Sequence, residues 1–415
     1  VAVVVARDSR FVWAARAAGI CGVASMFAIA SDSRGFGFKL PEVAVISSFI
    51  ALSLAIGAIV VLEAFDLDVK GQRFGWRQPL VVLAGLALLI PVFPLIVNSS
   101  GGRWNQPTSS TATLLEQLSK DPDQGDYRVL YLGSADLLPA ASRVIRVPNR
   151  SSDDSGSLAY AVTDDGIATV SSQWAPSVTS AVRTLENALV HLVDGDTPRV
   201  GRLLAPLGVR YVVVPRIDGA RSTRNAPLNL PTGLLDELRV QLDLRRQYES
   251  TDLMIYENVA WVPTVAQLSK SGADASTSAG MDALVLTDLR GATPAKSGFV
   301  AGRATQRLTV SPGVVSVAVP PSERWTLSVD GRRLKSRPAF GAVTGFDIPE
   351  GVNPESRATL RFDRPFLQVA FVLVQFSLWA VAVFVASGLR VRRRRALPVV
   401  VGAADTRISF GGDPT

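Results

Sequence analysis

Hydrophobic positions in this chain are concentrated in long runs near both ends, and mixed patterns lie between them. Residues 43–65 and 79–97 are almost uninterrupted apolar stretches, and residues 366–389 contain no charged side chain. An α-helix needs ~20 apolar residues to cross the hydrocarbon core of a bilayer. These stretches therefore predict three transmembrane helices, the second kinked near its outer end by Pro91 and Pro94.

A fourth span is predicted over residues 11–30, where the apolar stretch is shorter and several arginines precede it. A secretory signal peptide has the same order of basic and apolar residues. No cleavage site follows before the next span, so we interpret residues 11–30 as a membrane helix in which Arg16 snorkels. The chain begins with Val rather than Met. This suggests a fragment whose N-terminal part is missing.

Basic residues predict how the spans are oriented across the membrane. Five arginines lie within residues 390–395, directly after the last apolar run. Basic residues are also found in the short loop 66–78, and such residues favour the cytoplasmic side of a membrane. This predicts a multi-pass plasma-membrane protein with a basic cytoplasmic tail over residues 390–415. The large polar block, residues 98–365, is then extracytoplasmic.

The first part of the polar block, residues 98–265, mixes the periodicities of helices and strands. Residues 177–193 predict a helix with one apolar stripe, and residues 200–207 predict a second, shorter helix. The continuous apolar run 209–215 predicts a buried strand of the kind found in parallel sheets. Further strands are predicted at 127–133 and 253–256. This part is therefore expected to be an α/β domain.

The second part of the polar block, residues 266–363, differs from the first in composition and periodicity. Residues 266–302 are rich in Ser, Ala, Gly and Thr, which predicts a linker or irregular connection with one strand-like core at 283–287. Residues 303–363 alternate between apolar and polar positions, and Asp330-Gly331 between two extended runs is a strong hairpin signal. We predict a small antiparallel β-sandwich over 303–363.

The distribution of charge along the chain limits which kinds of partner are expected. The formal net charge is +7, and the five tail arginines leave only +2 for the rest of the chain. The basic character therefore marks a membrane anchor facing the lipid bilayer, and no nucleic-acid partner is expected. Cys21 is the single cysteine, so no intrachain disulfide can form. A domain of this size can bury an adequate core without one.

Motifs for catalysis are weak. Asp66-Leu-Asp68 and Asp121-Pro-Asp123 have the Asp-x-Asp form that can hold a divalent metal, but an interfacial acidic pair and a solvated turn explain them better. His191 is the only histidine, which excludes a zinc site or a Cys–His pair within the chain. No nucleophile elbow and no glycine-rich phosphate loop is present. We predict no catalytic residue, metal or cofactor.

One group of residues has the chemistry of a carbohydrate-facing surface. Aromatic faces stack on sugar rings while carboxylates and guanidinium groups bind hydroxyls. The alternative is that Trp104 and Trp174 pack at the membrane surface or in the core, and that Asp164-Asp-Gly166 forms a turn. The candidate substrate-binding residues are Arg103, Trp104, Asp164, Asp165 and Trp174.

Several segments, taken in order, carry a family resemblance. They are Arg73-Phe-Gly-Trp-Arg-Gln78, Gly101-Gly-Arg-Trp104, Arg128-Val-Leu-Tyr-Leu-Gly133, Tyr160-Ala-Val-Thr-Asp-Asp-Gly166, Leu203-Leu-Ala-Pro-Leu-Gly-Val-Arg-Tyr-Val-Val-Val214 and Trp325 with Asp330-Gly331. Together they resemble the C-terminal half of large actinobacterial membrane proteins described as family 2 glycosyltransferases. They are also similar to bacterial YfhO-type membrane proteins implicated in lipid glycosylation. The resemblance covers residues 11–395, and no single motif is specific.

The resemblance implies a role in cell-envelope glycan or glycolipid assembly, with a lipid-linked sugar or glycan as partner. It also implies a cytoplasmic nucleotide-sugar domain upstream, which is not present in this chain, so whether the chain acts as an enzyme stays open. The alternative is a non-catalytic, membrane-anchored carbohydrate-binding or scaffolding module. A transporter is disfavoured because no span carries a central ionisable residue.

Overall fold

A computed structural model describes residues 8–33, 43–64, 110–118, 124–146, 157–174, 177–217, 233–278, 280–295, 305–364 and 366–394, with a few single residues between these ranges. The chain divides into two units, Val1–Phe362 and Asp363–Thr415. The first unit holds two apolar helices, a six-stranded sheet with its covering helices, and a β-sandwich. The second holds one long apolar helix.

The two apolar helices of the first unit are α1, Asp8–Ser33, and α2, Val43–Ala64. Each contains a stretch long and apolar enough to cross a membrane, Arg10–Ala30 and Val45–Glu63. They pack against each other, and Ala14 and Val60 are buried in the contact. The helices predicted over 11–30 and 43–65 are thus confirmed. The span predicted over 79–97 lies outside the described residues, apart from three single positions.

Arg16 lies within α1 and is accommodated by an aromatic neighbour. Its guanidinium carbon is 5.2 Å from the ring centroid of Trp13, one turn earlier on the helix. An aromatic face attracts a cation and covers its apolar stem. This contact explains how a charged residue is tolerated in an otherwise apolar helix.

The six-stranded sheet has the order β2-β3-β1-β4-β6-β5. The central neighbours β1 and β4 are parallel, and all other neighbouring pairs in this sheet are antiparallel. The predicted strands at 127–133, 209–215 and 253–256 are confirmed. Its strands are β1 (Arg128–Gly133), β2 (Arg143–Arg146), β3 (Ser157–Asp164), β4 (Val209–Pro215), β5 (Leu244–Glu249) and β6 (Leu253–Asn258).

Both faces of this sheet are covered. On β1, Leu130 and Leu132 lie in one apolar cluster with helices on one face, whereas Val129 and Tyr131 pack with Leu115 on the other face. Successive side chains of a strand point to opposite faces, so a strand covered on both sides is apolar throughout. The covering helices are α3 (Thr111–Leu118), α4 (Ser180–Asp194), α5 (Val200–Leu204) and α6 (Leu234–Arg239).

Helix α4 begins three residues later than the apolar stripe predicts. The Thr179 side chain accepts a hydrogen bond from the Val182 amide at 3.3 Å, and this N-cap sets the start at Ser180. Val178 lies within the helix predicted over 177–193, on its predicted apolar stripe, but it precedes the cap and is 57% exposed, so this part of the prediction is wrong. At the other end, Gly195 closes the helix with a φ of 71°.

The β-sandwich consists of a five-stranded sheet of order β13-β14-β10-β7-β8 and a four-stranded sheet of order β12-β11-β15-β9. Inner residues of both sheets form one buried cluster around Phe346 and Leu327. The strands are β7 (Val265–Gln267), β8 (Thr293–Pro294), β9 (Thr305–Val310), β10 (Gly313–Val317), β11 (Trp325–Val329), β12 (Arg332–Lys335), β13 (Arg337–Ala339), β14 (Val343–Ile348) and β15 (Ser356–Phe362).

The hairpin predicted at Asp330-Gly331 is confirmed. These two residues join β11 to β12 and have positive φ values of 49° and 79°. Positive φ at both central residues is the requirement of a two-residue type I′ turn, whose twist matches that of the flanking strands. Asp and Gly tolerate this conformation better than most residues do.

Composition predicts a linker over 266–302; in the structure this segment contains β8 and two short helices, α7 (Lys270–Ala275) and α8 (Met281–Leu286). The strand predicted over 283–287 is wrong, because these residues belong to α8 and its C-cap. A short apolar run does not distinguish a buried strand from a buried helical turn. The Thr287 amide donates to the Ala283 and Leu284 carbonyls, which is a helical pattern.

One apolar core joins the six-stranded sheet to the sandwich. The cluster on the α4 side of the sheet also contains Leu268, Val314, Phe340 and Val343, which belong to the sandwich or border its strands. A hydrogen bond from Ser180 Oγ to the Ala342 carbonyl, 3.4 Å long, crosses the same boundary. The two parts therefore bury apolar surface against each other.

The second unit contains α9, Phe366–Arg394. Its segment Phe366–Phe384 is long and apolar enough to cross a membrane. The large apolar side chains described in this segment are exposed within the chain, from Phe366 at 83% to Phe384 at 79%. The span predicted over 366–389 is confirmed as an apolar helix.

Gly201 in α5 provides a test of the packing. A Cβ at this position would overlap Asn258 Oδ1 and lie 2.5 Å from the Asp243 Cβ. Asn258 cannot move away easily, because its amide donates to the Gly201 and Val209 carbonyls at 2.8 and 3.0 Å. Gly201→Ala is expected to destabilise the protein by about 1–3 kcal/mol, as overpacking does in a buried site.

Thermal unfolding of the full chain in detergent, followed by circular dichroism, measures this change. Gly351→Ala is the matched control, since a Cβ there meets open space and no positive φ is required. Equal midpoints for the two variants would contradict the packing described for α5.

Candidate functional site

The Asp164-Asp-Gly166 segment forms a tight turn at the end of β3. Asp165 and Gly166 have φ values of 52° and 76°, and the Ile167 amide donates to the Asp164 carbonyl at 3.1 Å. This is the geometry of a type I′ turn. Of the two interpretations of these residues, the structure shows the turn; a sugar contact stays a prediction.

Both carboxylates of the turn have partners within the domain. Asp164 Oδ1 accepts from Arg128 Nε at 3.1 Å, and Arg128 also donates to the Leu207 carbonyl at 3.1 Å. Burial raises the pKa of the Asp165 carboxyl, a hydrogen bond from the Tyr127 backbone opposes this shift, and the charge of Asp164 adds to it. The turn is therefore linked to β1 and to the end of the helix that follows α5.

Gly166 is needed at the tip of the turn. Besides its positive φ, a Cβ here would lie 2.5 Å from Leu115 Cδ1 of α3. The Tyr131 hydroxyl donates to the Gly166 carbonyl at 3.1 Å. The turn is thus fixed at Gly166 against the buried face of the sheet, while Asp164, Asp165 and Ile167 reach solvent.

Trp174 lies at the end of a short 3₁₀ helix, Val170–Gln173. Thr169 and Ser172 close this helix with a reciprocal capping box. Two hydrogen bonds attach it to the segment before β2: the Ala141 backbone amide donates to the Ser172 carbonyl at 2.9 Å, and Gln173 Nε2 donates to the Pro139 carbonyl at 3.2 Å. The Trp174 side chain stays 40% exposed. Arg103 and Trp104 lie outside the described residues.

A polar cluster that the sequence analysis did not identify is formed by residues of β2, β3 and α4. Arg143 and Tyr160 are direct partners in the register of β2 and β3, and Glu186 of α4 reaches both. Arg143 Nε donates to Glu186 Oε1 at 2.8 Å and to the Tyr160 hydroxyl at 3.1 Å, and that hydroxyl donates to Glu186 Oε1 at 2.9 Å. Arg143 and Glu186 are each 22% exposed.

The charges within this cluster stabilise one another. Burial, and then the hydrogen bond to Glu186, raises the pKa of the Tyr160 hydroxyl, so the tyrosine stays a neutral donor. Burial lowers the pKa of the Arg143 guanidinium, but the hydrogen bonds and electrostatic attraction of Glu186 and Tyr160 together outweigh it, and the pKa is raised. The result is a half-buried carboxylate, hydroxyl and guanidinium held in one geometry. Arg143 begins β2, two residues after the attachment point of the Trp174 helix.

Arg210 of β4 is a second polar centre, and it is buried. Its guanidinium carbon lies 4.8, 5.1 and 5.5 Å from the ring centroids of Trp261, Tyr211 and Tyr127, and Nη2 is 3.5 Å from Glu257 Oε1. Only 5% of the residue is exposed. Because this arginine is enclosed by rings and paired, it is a packing element, although it belongs to a segment that carries the family resemblance.

The other candidate chemistries find little support. Across the ranges that the structure describes, no group of three or more His, Cys, Asp or Glu residues is arranged to hold a metal ion. The Asp66-Leu-Asp68 and Asp121-Pro-Asp123 motifs lie outside those ranges. His191 of α4 is partly exposed, and its Nδ1 is 2.9 Å from Asp196 Oδ2.

No known protein family, no curated protein and no solved structure matches this chain.

Tyr131 gives the turn a testable dependence on pH. Burial raises the pKa of its hydroxyl to about 12. In the unfolded chain the same group loses its proton near pH 10. Its contribution to stability is therefore complete below pH 10 and is lost as pH rises towards 12, by up to about 1.4 kcal/mol for each pH unit.

Tyr131→Phe is expected to lower stability at pH 7 by about 1 kcal/mol, because the hydrogen bond to Gly166 is lost. It should also weaken the fall of stability between pH 10 and 12. Unfolding midpoints of the full chain across this range measure both effects. An unchanged alkaline slope in the variant would contradict the burial of this hydroxyl.

Proposed function

We propose that this chain is the membrane and extracytoplasmic portion of a glycosyltransferase-like protein that acts in cell-envelope glycan or glycolipid assembly. Its domain would hold a glycan or lipid-linked sugar. The observation that carries this proposal is Trp174, an aromatic side chain left 40% exposed on a short helix that is hydrogen-bonded to the segment leading into β2, the strand that begins with Arg143. The resemblance of the chain to membrane glycosyltransferases supports the same substrate class.

The chemistry of this surface suits a sugar. An indole face offers flat apolar area to the C–H groups of a pyranose ring. Arg143, Tyr160 and Glu186 supply donors and acceptors at a half-buried position, and a few convergent polar groups beside an aromatic surface are typical of small-ligand sites. In this proposal Trp174 stacks on the ring and the exposed atoms of Arg143 and Glu186 bind its hydroxyls.

The orientation of the chain follows from its charges. The arginines of residues 390–395 hold the end of α9 in the cytoplasm, so the sandwich that precedes α9 in the chain lies on the outer side. The six-stranded sheet shares its core with the sandwich and lies on the same side. A lipid-linked sugar at the outer leaflet would then be within reach of the domain.

A second candidate is a non-catalytic scaffolding module without a sugar ligand. The observation that favours it is that Asp164, Arg128, Arg143 and Glu186 all have partners inside the domain. Side chains that satisfy one another stabilise a fold and need no ligand. The two candidates differ in whether the purified protein binds glycans.

Binding is tested with the full chain in nanodiscs, by using a polyprenyl-phosphate-linked hexose and an array of free glycans as probes. Trp174→Ala is expected to weaken binding about tenfold, the equivalent of one lost stacking contact. Leu242→Ala is the control, because Leu242 is 63% exposed in the same domain, away from the proposed surface. Absence of binding by the unmodified protein would favour the scaffolding candidate.

Orientation is tested with single cysteines in a Cys21→Ser background. A membrane-impermeant maleimide added to intact cells is expected to label Glu350→Cys, on an exposed turn of the sandwich, and to leave Ala396→Cys unlabelled until the cells are lysed. The opposite pattern would place the domain in the cytoplasm and remove the proposed role at the outer leaflet.

A further inference from the structure

Helix α9 carries polar side chains where an isolated span should have none. Gln375 is the tenth of the nineteen residues of the segment Phe366–Phe384, at the middle of the predicted bilayer crossing, and Gln368 lies two turns before it. Both side chains are exposed. Within the part of the chain that the structure describes, neither amide has a hydrogen-bond partner.

A primary amide at this depth needs a partner. Water cannot reach the centre of the hydrocarbon, and a polar group left unsatisfied there is strongly unfavourable. Ser377 on the same helix has a partner within the helix, because its hydroxyl donates to the Leu373 carbonyl at 2.8 Å. Gln375 makes no such bond to its own helix, so its partner must come from another helix.

The position of the glutamines defines a face. Gln368, Gln375 and Ala382 recur every seven residues, and Phe371 and Leu378 fall between them at the second core position of the same heptad pattern. Phe371 and Leu378 are 70% and 65% exposed. Residues spaced in this way line one stripe of a helix and form the contact surface of a left-handed helix pair. Below we call these five residues the glutamine stripe.

The stretch 79–97 and helix α2 offer this stripe few polar partners. The stretch 79–97 contains no polar side chain between its ends. In α2, the Ser48 and Ser53 hydroxyls already donate to the Val45 and Ile50 carbonyls at 2.7 Å each. A glutamine amide, by contrast, is both donor and acceptor, so it is complementary to itself.

We propose that α9 pairs with α9 of a second copy of this chain through the glutamine stripe. Two copies insert with the same orientation because they carry the same basic tail, so a two-fold axis parallel to the helices brings Gln375 opposite Gln375 at equal depth. The two amides hydrogen-bond across the interface, and Gln368 forms a second polar layer. The small Ala382 side chain allows the helices to approach closely.

Disulfide cross-linking of the full chain in its membrane tests the geometry. In a Cys21→Ser background, Ala382→Cys lies on the glutamine stripe, whereas Ser377→Cys lies on the opposite side of the helix and differs little from the native residue in size. Mild oxidation is expected to link Ala382→Cys into dimers and to leave Ser377→Cys monomeric. Equal linking from both positions, or none from either, would overturn the proposal.

Fluorescence energy transfer between labelled copies in liposomes tests the chemistry. Gln375→Leu is expected to weaken association about tenfold, whereas Gln375→Asn, which keeps the amide, should retain most of it. Gln375→Leu makes the helix more apolar, so membrane insertion is not impaired. Monomers in the unmodified protein, or a Gln375→Leu dimer of unchanged strength, would show that the amides do not pair between copies.

Discussion

A buried arginine charge is the constraint on which the six-stranded sheet depends. Arg210 lies on the central strand β4, and a guanidinium cannot lose its proton under physiological conditions. Its charge must therefore be balanced where it is buried. Three aromatic rings and Glu257 of β6 do this, and Glu257 in turn accepts from Arg245 of β5 at 2.8 Å. Removing Glu257 would leave the buried charge of Arg210 without a counter-charge, which costs more than the contact alone contributes.

Most of the regular elements follow from local patterns in the sequence. The run 209–215 is predicted as a buried strand because it is apolar apart from Arg210, and Asp330-Gly331 is predicted as a turn because both residue types tolerate the positive φ that a type I′ turn requires. The segment around 283–287 shows the limit of such patterns. Four apolar residues followed by Thr287 fit a strand or a helical turn equally well, and only the packing of α8 against the rest of the core decides between them.

The candidate site was harder to predict from the sequence than the regular elements. Asp164 and Asp165 attract attention as adjacent carboxylates, yet their backbone conformation makes them a turn. The cluster of Arg143, Tyr160 and Glu186 has no signature in the sequence, because its members are far apart and meet only through the register of β2 with β3 and the packing of α4. The sequence shows Arg210 only as a charged residue within an apolar run and does not predict its partners. Side-chain networks of this kind depend on tertiary contacts that periodicity does not encode.

The apolar core shared by the six-stranded sheet and the sandwich has a consequence for how the chain can be divided. Phe340 and Val343 border strands of the sandwich, but they are buried in the same cluster as Leu189 of α4. The composition of the chain changes near residue 265, which makes that position look like a border between interchangeable modules. Cutting there would expose apolar surface on both pieces, and each would be prone to aggregation. The two parts are therefore expected to fold cooperatively and to be inherited together, whatever the composition of the segment that joins them.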